Sequence, residues 1–248
     1  MVANKQILGS GSISGPGNIM GTSNSGPLAG YGSLVFQGNQ NSLITFSNQS
    51  IAWGSYMYDK WTIEWWQKET DTNSAPRPWS FGASYSTGLG VSFESGNINL
   101  WRNSNPTNIG SVGSLSNAWH HFAVVRDWDA SPNTYLVYKD GTLVGGLFAD
   151  TLTSLGSDLI LGASDSPNNS DCFGGKIAGF HFTSEAKYTG NFTPSTNPLS
   201  YQTANTKMLL LAVDSGSRLT SIGSATITAQ NSYEFDYVTW DSDNPWVA

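Results

Sequence analysis

The stretch "YLVYKDGTLVGG", residues 135 to 146, constrains this 248-residue chain more than any other. Asp140-Gly141 lies between two alternating apolar runs, and a two-residue Asp-Gly loop suits the type I′ turn, whose twist matches that of two antiparallel strands. At least one antiparallel pair is therefore expected, and the rest of the chain reads in the same way. "SLVFQG" and "SLITFS" are short β-type runs separated by the turn composition "GNQN". "GVSFESGNINLW" reads as a hairpin in which Ser95-Gly96-Asn97 joins Val91–Glu94 to Ile98–Trp101. "HHFAVVRDW" is apolar on both faces, as a central strand covered on each side would be. Further strands are expected at "DLILGA", "KIAGFHF", "KMLLLAV" and "SATITAQ". No heptad, long helical stripe or repeat of 20 to 50 residues is evident. The predicted fold is all-β, an antiparallel two-sheet β-sandwich.

"WTIEWWQK" sharpens that reading. On a strand, successive side chains point to opposite faces, so Trp65 and Trp66 cannot share one core. Trp61, Ile63, Trp65 and Gln67 form the expected core face, and Thr62, Glu64, Trp66 and Lys68 the other. Residues 9 to 33 are rich in Gly, Ser and Pro and lack the apolar surface for a core element, so residues 1–32 read as an N-terminal arm. The domain proper is expected over 33–200. The segment 201–248 should pack on it through further strands and an aromatic-acidic arm, in which Tyr233, Glu234, Phe235, Asp236 and Tyr237 alternate.

Charge excludes one class of partner. The formal net charge is -7, a field that repels phosphate backbones, so nucleic acid is not expected. No apolar run is long enough to span a bilayer, and "MVANKQILGSGS" lacks the basic and apolar regions of a secretory signal; a soluble protein made in the cytoplasm is expected. Cys172 is the single cysteine and reads as a small buried hydrophobe.

The residues that could do chemistry are few. Glycoside hydrolysis needs two carboxylates facing one sugar. Glu64 has Thr62, Trp66 and Lys68 as same-face neighbours, and Glu94 has Ser92 and Gly96, so neither is paired. His120, His121 and His181 lie within strands and read as packed or hydrogen-bonded structural groups. There is no GxSxG, HExxH or P-loop motif, and neither catalytic residues nor a cofactor are expected. Asp165, Asn168, Asn169 and Asp171 offer oxygen ligands for calcium on one loop, but their spacing matches no EF-hand, and a turn built by Asx side chains is the leading reading. Trp66, Trp79, Tyr85 and Trp101 beside Arg102 are the candidate ligand-binding residues, a flat platform on which a sugar ring could stack. The same aromatics suit a subunit contact or coverage by loops, which is the favoured reading.

In their order and spacing, "SLVFQGNQNSLITFS", "WTIEWWQK", "WHHFAVVRD", "YLVYKDGTLVGG", "LILGA" and "FGGKIAGFHF" resemble the laminin-G-like, concanavalin A-like jelly-roll domains over roughly residues 33 to 200. The trailing "AKYTGNFTPSTNPL" resembles a segment found in structural proteins of tailed bacteriophages. The resemblance implies a jelly roll and a non-enzymatic virion protein, a capsid decoration or a tail or fibre component on the virion surface. Its partners would be other virion proteins, a homo-oligomer of the chain itself and a cell-surface glycan. A stand-alone lectin module is the alternative, and a hydrolase or lyase of the same fold is a third reading. Members of this family often carry acidic residues just after the Ile of the "FxGxI" strand. Here Ala178 and Gly179 stand there, which weakens any site that depends on those carboxylates.

Overall fold

The computed structural model describes residues 31–46, 59–70, 73–81, 88–102, 105–127, 134–146, 158–164, 171–198, 205–213, 217–222 and 238–246. They form fifteen strands and no helix. In chain order these are β1 (Tyr31–Gln37), β2 (Ile44–Phe46), β3 (Trp61–Glu69), β4 (Trp79–Phe81), β5 (Leu89–Glu94), β6 (Asn97–Arg102), β7 (Asn105–Ser111) and β8 (Trp119–Arg126). There follow β9 (Tyr135–Lys139), β10 (Thr142–Gly145), β11 (Leu159–Leu161), β12 (Gly174–Thr183), β13 (Thr206–Val213), β14 (Ser217–Ile222) and β15 (Thr239–Asp241).

Two antiparallel sheets face each other. The larger has nine strands in the order β10-β9-β8-β3-β12-β1-β13-β14, with β15 paired to β1; the smaller has six, ordered β2-β11-β4-β5-β6-β7. The Asp140-Gly141 turn takes φ values of 50° and 77°, both positive as a type I′ loop requires. Ser95-Gly96 turns the second hairpin in the same way, with φ 51° and 76°. Asn97 pairs with Glu94, so this turn has two residues rather than the three expected from sequence.

The core fills the space between the sheets. Trp61, Ile63, Trp65, Phe122 and Val124 of the large sheet meet Trp79, Phe81, Val91, Phe93, Ile98 and Leu100 of the small one. Trp65 stacks on Phe122 with centroids 5.5 Å apart and takes the edge of Trp79 at 5.7 Å. Both contacts follow from the parity of β3, as does burial of Gln67, whose Oε1 accepts the Trp65 Nε1 hydrogen at 2.7 Å. Cys172 is buried as expected, and burial together with the neighbouring Asp171 pushes its thiol up to about 11. Strand β13, from the C-terminal part of the chain, lies beside β12 and β1 in the same sheet as the rest.

Candidate functional site

A sandwich has two outer faces, and this one treats them differently. On the large sheet the outward parity of β3 brings Glu64, Trp66 and Lys68 together, and two later segments of chain lie across them.

The first strap is the stretch from Ser184 to Pro194. Its Ala186, Tyr188 and Phe192 cover Ala123, Val125, Leu136 and Tyr138, and the Tyr188 and Phe192 rings stack at 3.5 Å. Asn191 Oδ1 accepts the Leu143 amide hydrogen on the edge strand β10, and Gly141 O accepts that of Phe192, so the hairpin and the strap are locked together. Beneath the strap, Glu64 is fully buried. Its carboxylate accepts from His181 Nδ1 at 2.9 Å, from the Tyr188 hydroxyl at 2.7 Å and from Lys187 Nζ, with His121 Nε2 at 3.4 Å. Burial alone would raise the Glu64 pKa. The hydrogen bonds from His121 and His181 and the charge of Lys187 overcome that and hold it well below the usual carboxylate range. Burial and the adjacent Glu64 charge raise Tyr188. His181 Nε2 lies 2.9 Å from Thr206 Oγ1, so hydroxyl, imidazole and carboxylate stand in the order used by nucleophilic enzymes. All three residues are buried, however, and Glu64 is saturated by other donors, so the group is arranged as a lock under the strap.

The second strap is the C-terminal stretch 238–246, which adds β15 to β1 and buries Trp246 among Ala178, Leu209 and Leu211, with Trp66, Trp119 and Tyr31 packed alongside. Trp66 is therefore half-buried within the molecule, with its ring 5.2 Å from that of His121. Of the readings of this aromatic, a partner or glycan contact gives way to coverage by loops: the chain's own later segments pack on its face of the sheet, and the ring stays half-buried. Residues 233 to 237 of the expected arm lie outside the described residues, as does the N-terminal stretch 1–30.

The outer face of the small sheet has a different character. Opposite the inward Val91, Phe93, Ile98 and Leu100 stand Ser92, Glu94, Asn97, Asn99 and Trp101, and β4 adds Ser80. Register places Ser92 beside Asn99, and Gly90 between Ser80 and Trp101. Ser92 is the centre of this polar strip: its Oγ accepts the Trp101 Nε1 hydrogen at 2.7 Å and donates to Glu94 Oε1 at 2.7 Å. The Arg77 guanidinium lies over the Trp101 ring, 4.0 Å from its centroid. Arg77 is held by a parallel bridge to Cys172, with its amide hydrogen given to Asp171 O. The strip thus joins one aromatic ring, one cation, one carboxylate and several amide and hydroxyl groups; Ser80, Ser92, Asn99 and Arg77 are buried in it, and Glu94, Asn97 and Trp101 are half-buried, so these last three form its accessible part.

A sequence model described as the concanavalin A-like lectin/glucanases superfamily matches residues 23–189. The chain belongs to this superfamily. The architecture agrees, with two antiparallel sheets and no helix among the described residues. No curated protein sequence matches the chain. Among solved structures, a K499G mutant of NanB sialidase from Streptococcus pneumoniae is similar with a TM-score of 0.51 and 16% identity, over 73% of this chain and 30% of that one. A native heptameric SAP-like pentraxin from Limulus polyphemus shares 14% identity over 80% of this chain and 98% of its own, with a TM-score of 0.49. This chain thus spans less than a third of the sialidase, and the likeness to it is one of fold. The fold is that of a lectin-like domain, one that hosts binding modules and enzymes alike.

Within this lectin-type sandwich the expected aromatic platform does not assemble. Trp66 lies on the outer face of the large sheet, Trp101 on that of the small sheet, and Trp79 in the core between them with its side chain fully buried. Trp79, expected on the exposed platform, opens the short buried strand β4, where parity sends it and Phe81 inward. Arg102 is half-buried and follows Trp101 with opposite parity. Tyr85 and the Asp165–Asn169 part of the calcium-ligand candidates lie outside the described residues. Asp171 is buried and engaged with Arg77 through its carbonyl. No group of three or more metal-ligating side chains occurs among the described residues. Reading the residues did not single out Ser92, Asn99 and Arg77. The first two were detectable, because the hairpin alternation that sends Val91 and Leu100 inward sends Ser92 and Asn99 outward and opposite each other.

Proposed function

We propose that the protein is a non-enzymatic glycan-binding module, displayed on a bacteriophage particle as a capsid decoration or a tail or fibre component. The observation that carries the binding reading is the half-buried Trp101 ring on the outer face of the small sheet, stacked by the buried Arg77 guanidinium and anchored through its Nε1 hydrogen to the buried Ser92 Oγ. The non-enzymatic reading rests on the carboxylates among the described residues. Glu64 is sealed beneath a strap, and Glu94 is tied to Ser92, with Asn97 as its cross-strand neighbour. Hydrolysis would need a second carboxylate across the sugar. The virion setting is supported by the likeness of "AKYTGNFTPSTNPL" to segments of phage structural proteins.

A glycan array probed with the full chain, followed by titration of retained sugars monitored by Trp fluorescence, tests the binding reading. Trp101→Ala and Asn99→Ala should each weaken a retained sugar at least about tenfold, the scale of one stacking contact or one lost buried hydrogen bond. Retention of no glycan, or unchanged affinity in both variants, would refute it. Release of reducing ends from a bound glycan would refute the non-enzymatic reading. The virion setting is tested by copurification of the chain with phage particles.

A further inference from the structure

Lys68 on β3 and Lys176 on β12 are direct register partners in an antiparallel ladder, where like charges repel. The fold answers this with an anion. Asp243 Oδ2 accepts from both ammonium groups at 2.9 Å, and Oδ1 accepts the Trp119 Nε1 hydrogen at 2.9 Å. Asp241 adds a second carboxylate, 3.0 Å from Lys176.

The rest of the groove is equally specific. Ser33 Oγ donates to Asp243 O at 2.7 Å, and Asn244 Nδ2 donates to Tyr31 O at 3.0 Å. Trp246 fills an apolar pocket against the Tyr31 edge, at 6.2 Å between centroids. At Gly32 an added Cβ would lie 2.2 Å from Asp241 O and 2.6 Å from the Trp240 ring, so only glycine lets β15 approach. Ladder pairing, a charged pocket and an aromatic pocket together are what a sheet edge uses to recognise a peptide by strand addition.

A segment held this way docks through contacts that are indifferent to which copy supplies it. The connection between Ile222 and Thr239 contains sixteen residues, an extended reach of about 50 Å, long enough to span to a neighbouring molecule. We propose that the groove formed by β1, Lys68, Lys176 and Trp119 accepts the Thr239–Trp246 segment of a second copy of this chain, linking copies by exchanged C-terminal straps. Contacts made in trans reproduce those made in cis, so the balance depends on concentration. A connection of sixteen residues sets an effective concentration of about the millimolar range, and exchange prevails where copies are crowded beyond it or the cis contact is weakened. This inference is independent of glycan binding.

Charge reversal gives the test. Asp243→Lys spoils the strap and keeps the groove, while the double variant Lys68→Asp/Lys176→Asp spoils the groove and keeps the strap. Each alone should run near the 26.6 kDa monomer in size-exclusion chromatography with light scattering. Mixed at tens of micromolar, they should form a 1:1 species of twice that mass, because both crossed pairings are complementary. A mixture that stays monomeric, with both variants folded by near-UV circular dichroism, overturns the proposal. Should either variant fail to fold, two differently tagged wild-type populations incubated together at millimolar concentration decide the matter. Recovery of mixed-tag dimers that Gly32→Val abolishes supports exchange, and absence of mixed species overturns it.

Discussion

Replacing Glu64 by alanine should loosen the first strap and cost a large share of the stability. The Glu64 carboxylate is the shared acceptor for His181 Nδ1, the Tyr188 hydroxyl and Lys187. Lys187 is 31% exposed and can turn to water, so losing its ion pair contributes little. His181 is buried and Tyr188 hydrogen-bonds inward, and each donor left without an acceptor costs about 1–3 kcal/mol. A total of about 3–5 kcal/mol follows, the range for breaking a buried pair from one side. For a chain of this size each kcal/mol moves Tm by about 2–4 °C, so a drop of about 6–20 °C is expected in thermal melts followed by circular dichroism. Glu64→Gln keeps the shape and one acceptor oxygen, and should fall between the two. The sign with pH is fixed by the direction of the shift: a carboxylate held below its unfolded pKa stabilises above about pH 4 and loses that contribution as pH falls toward the folded value. The gap between wild type and Glu64→Gln should therefore narrow from pH 6 to pH 3. A Glu64→Ala melt within about 2 °C of wild type would refute the lock.

Three further outcomes follow from the same structure. Gly141→Ala combines φ 77° with a Cβ 1.8 Å from Phe192 O, so it should cost at least about 1–2 kcal/mol from the backbone alone and raise proteolysis within 184–194. Trp79→Ala opens a cavity in the core and should lose about 3–5 kcal/mol in urea unfolding, whereas Trp101→Ala on the outer face should lose markedly less; equal losses would contradict their placement. Asp243 is pushed down to about 2: burial works against the shift, and Trp119, Lys176 and Lys68 outweigh it. Its stabilisation is thus intact above about pH 4 and lost as pH falls through 2, and hydrogen exchange of the β1–β15 amides should accelerate across that window and not above it.

The strands were legible because their evidence is local. Alternation fixed which of Trp65 and Trp66 enters the core, and Asp140-Gly141 announced its turn. What alternation cannot say is what lies over the outward side chains. Trp66 read as contact surface and Glu64 as an unpaired carboxylate because the segments that cover them come more than a hundred residues later. Those segments are irregular and short of apolar residues: Tyr188, Phe192 and Trp246 are isolated anchors without a period to detect. Trp79 was misplaced on the exposed platform because a three-residue strand has too little alternation to announce which way its side chains point. Arg77 reaches Trp101 only through its bridge to Cys172, a contact nearly a hundred positions away in sequence.

The hydrogen bond from Ser33 to Asp243 joins residues 210 positions apart. At a synthesis rate of about 5–20 residues per second, β1 leaves the ribosome some 10–40 s before the strand that completes its outer side exists. During that interval the opposed lysines on β3 and β12 have no counter-ion from the chain, and β1 presents unpaired backbone groups to whatever is near. Closure must then await long-range contacts, which slows folding. A nascent chain of this design is most vulnerable to aggregation in the interval before residues 238–246 are in place.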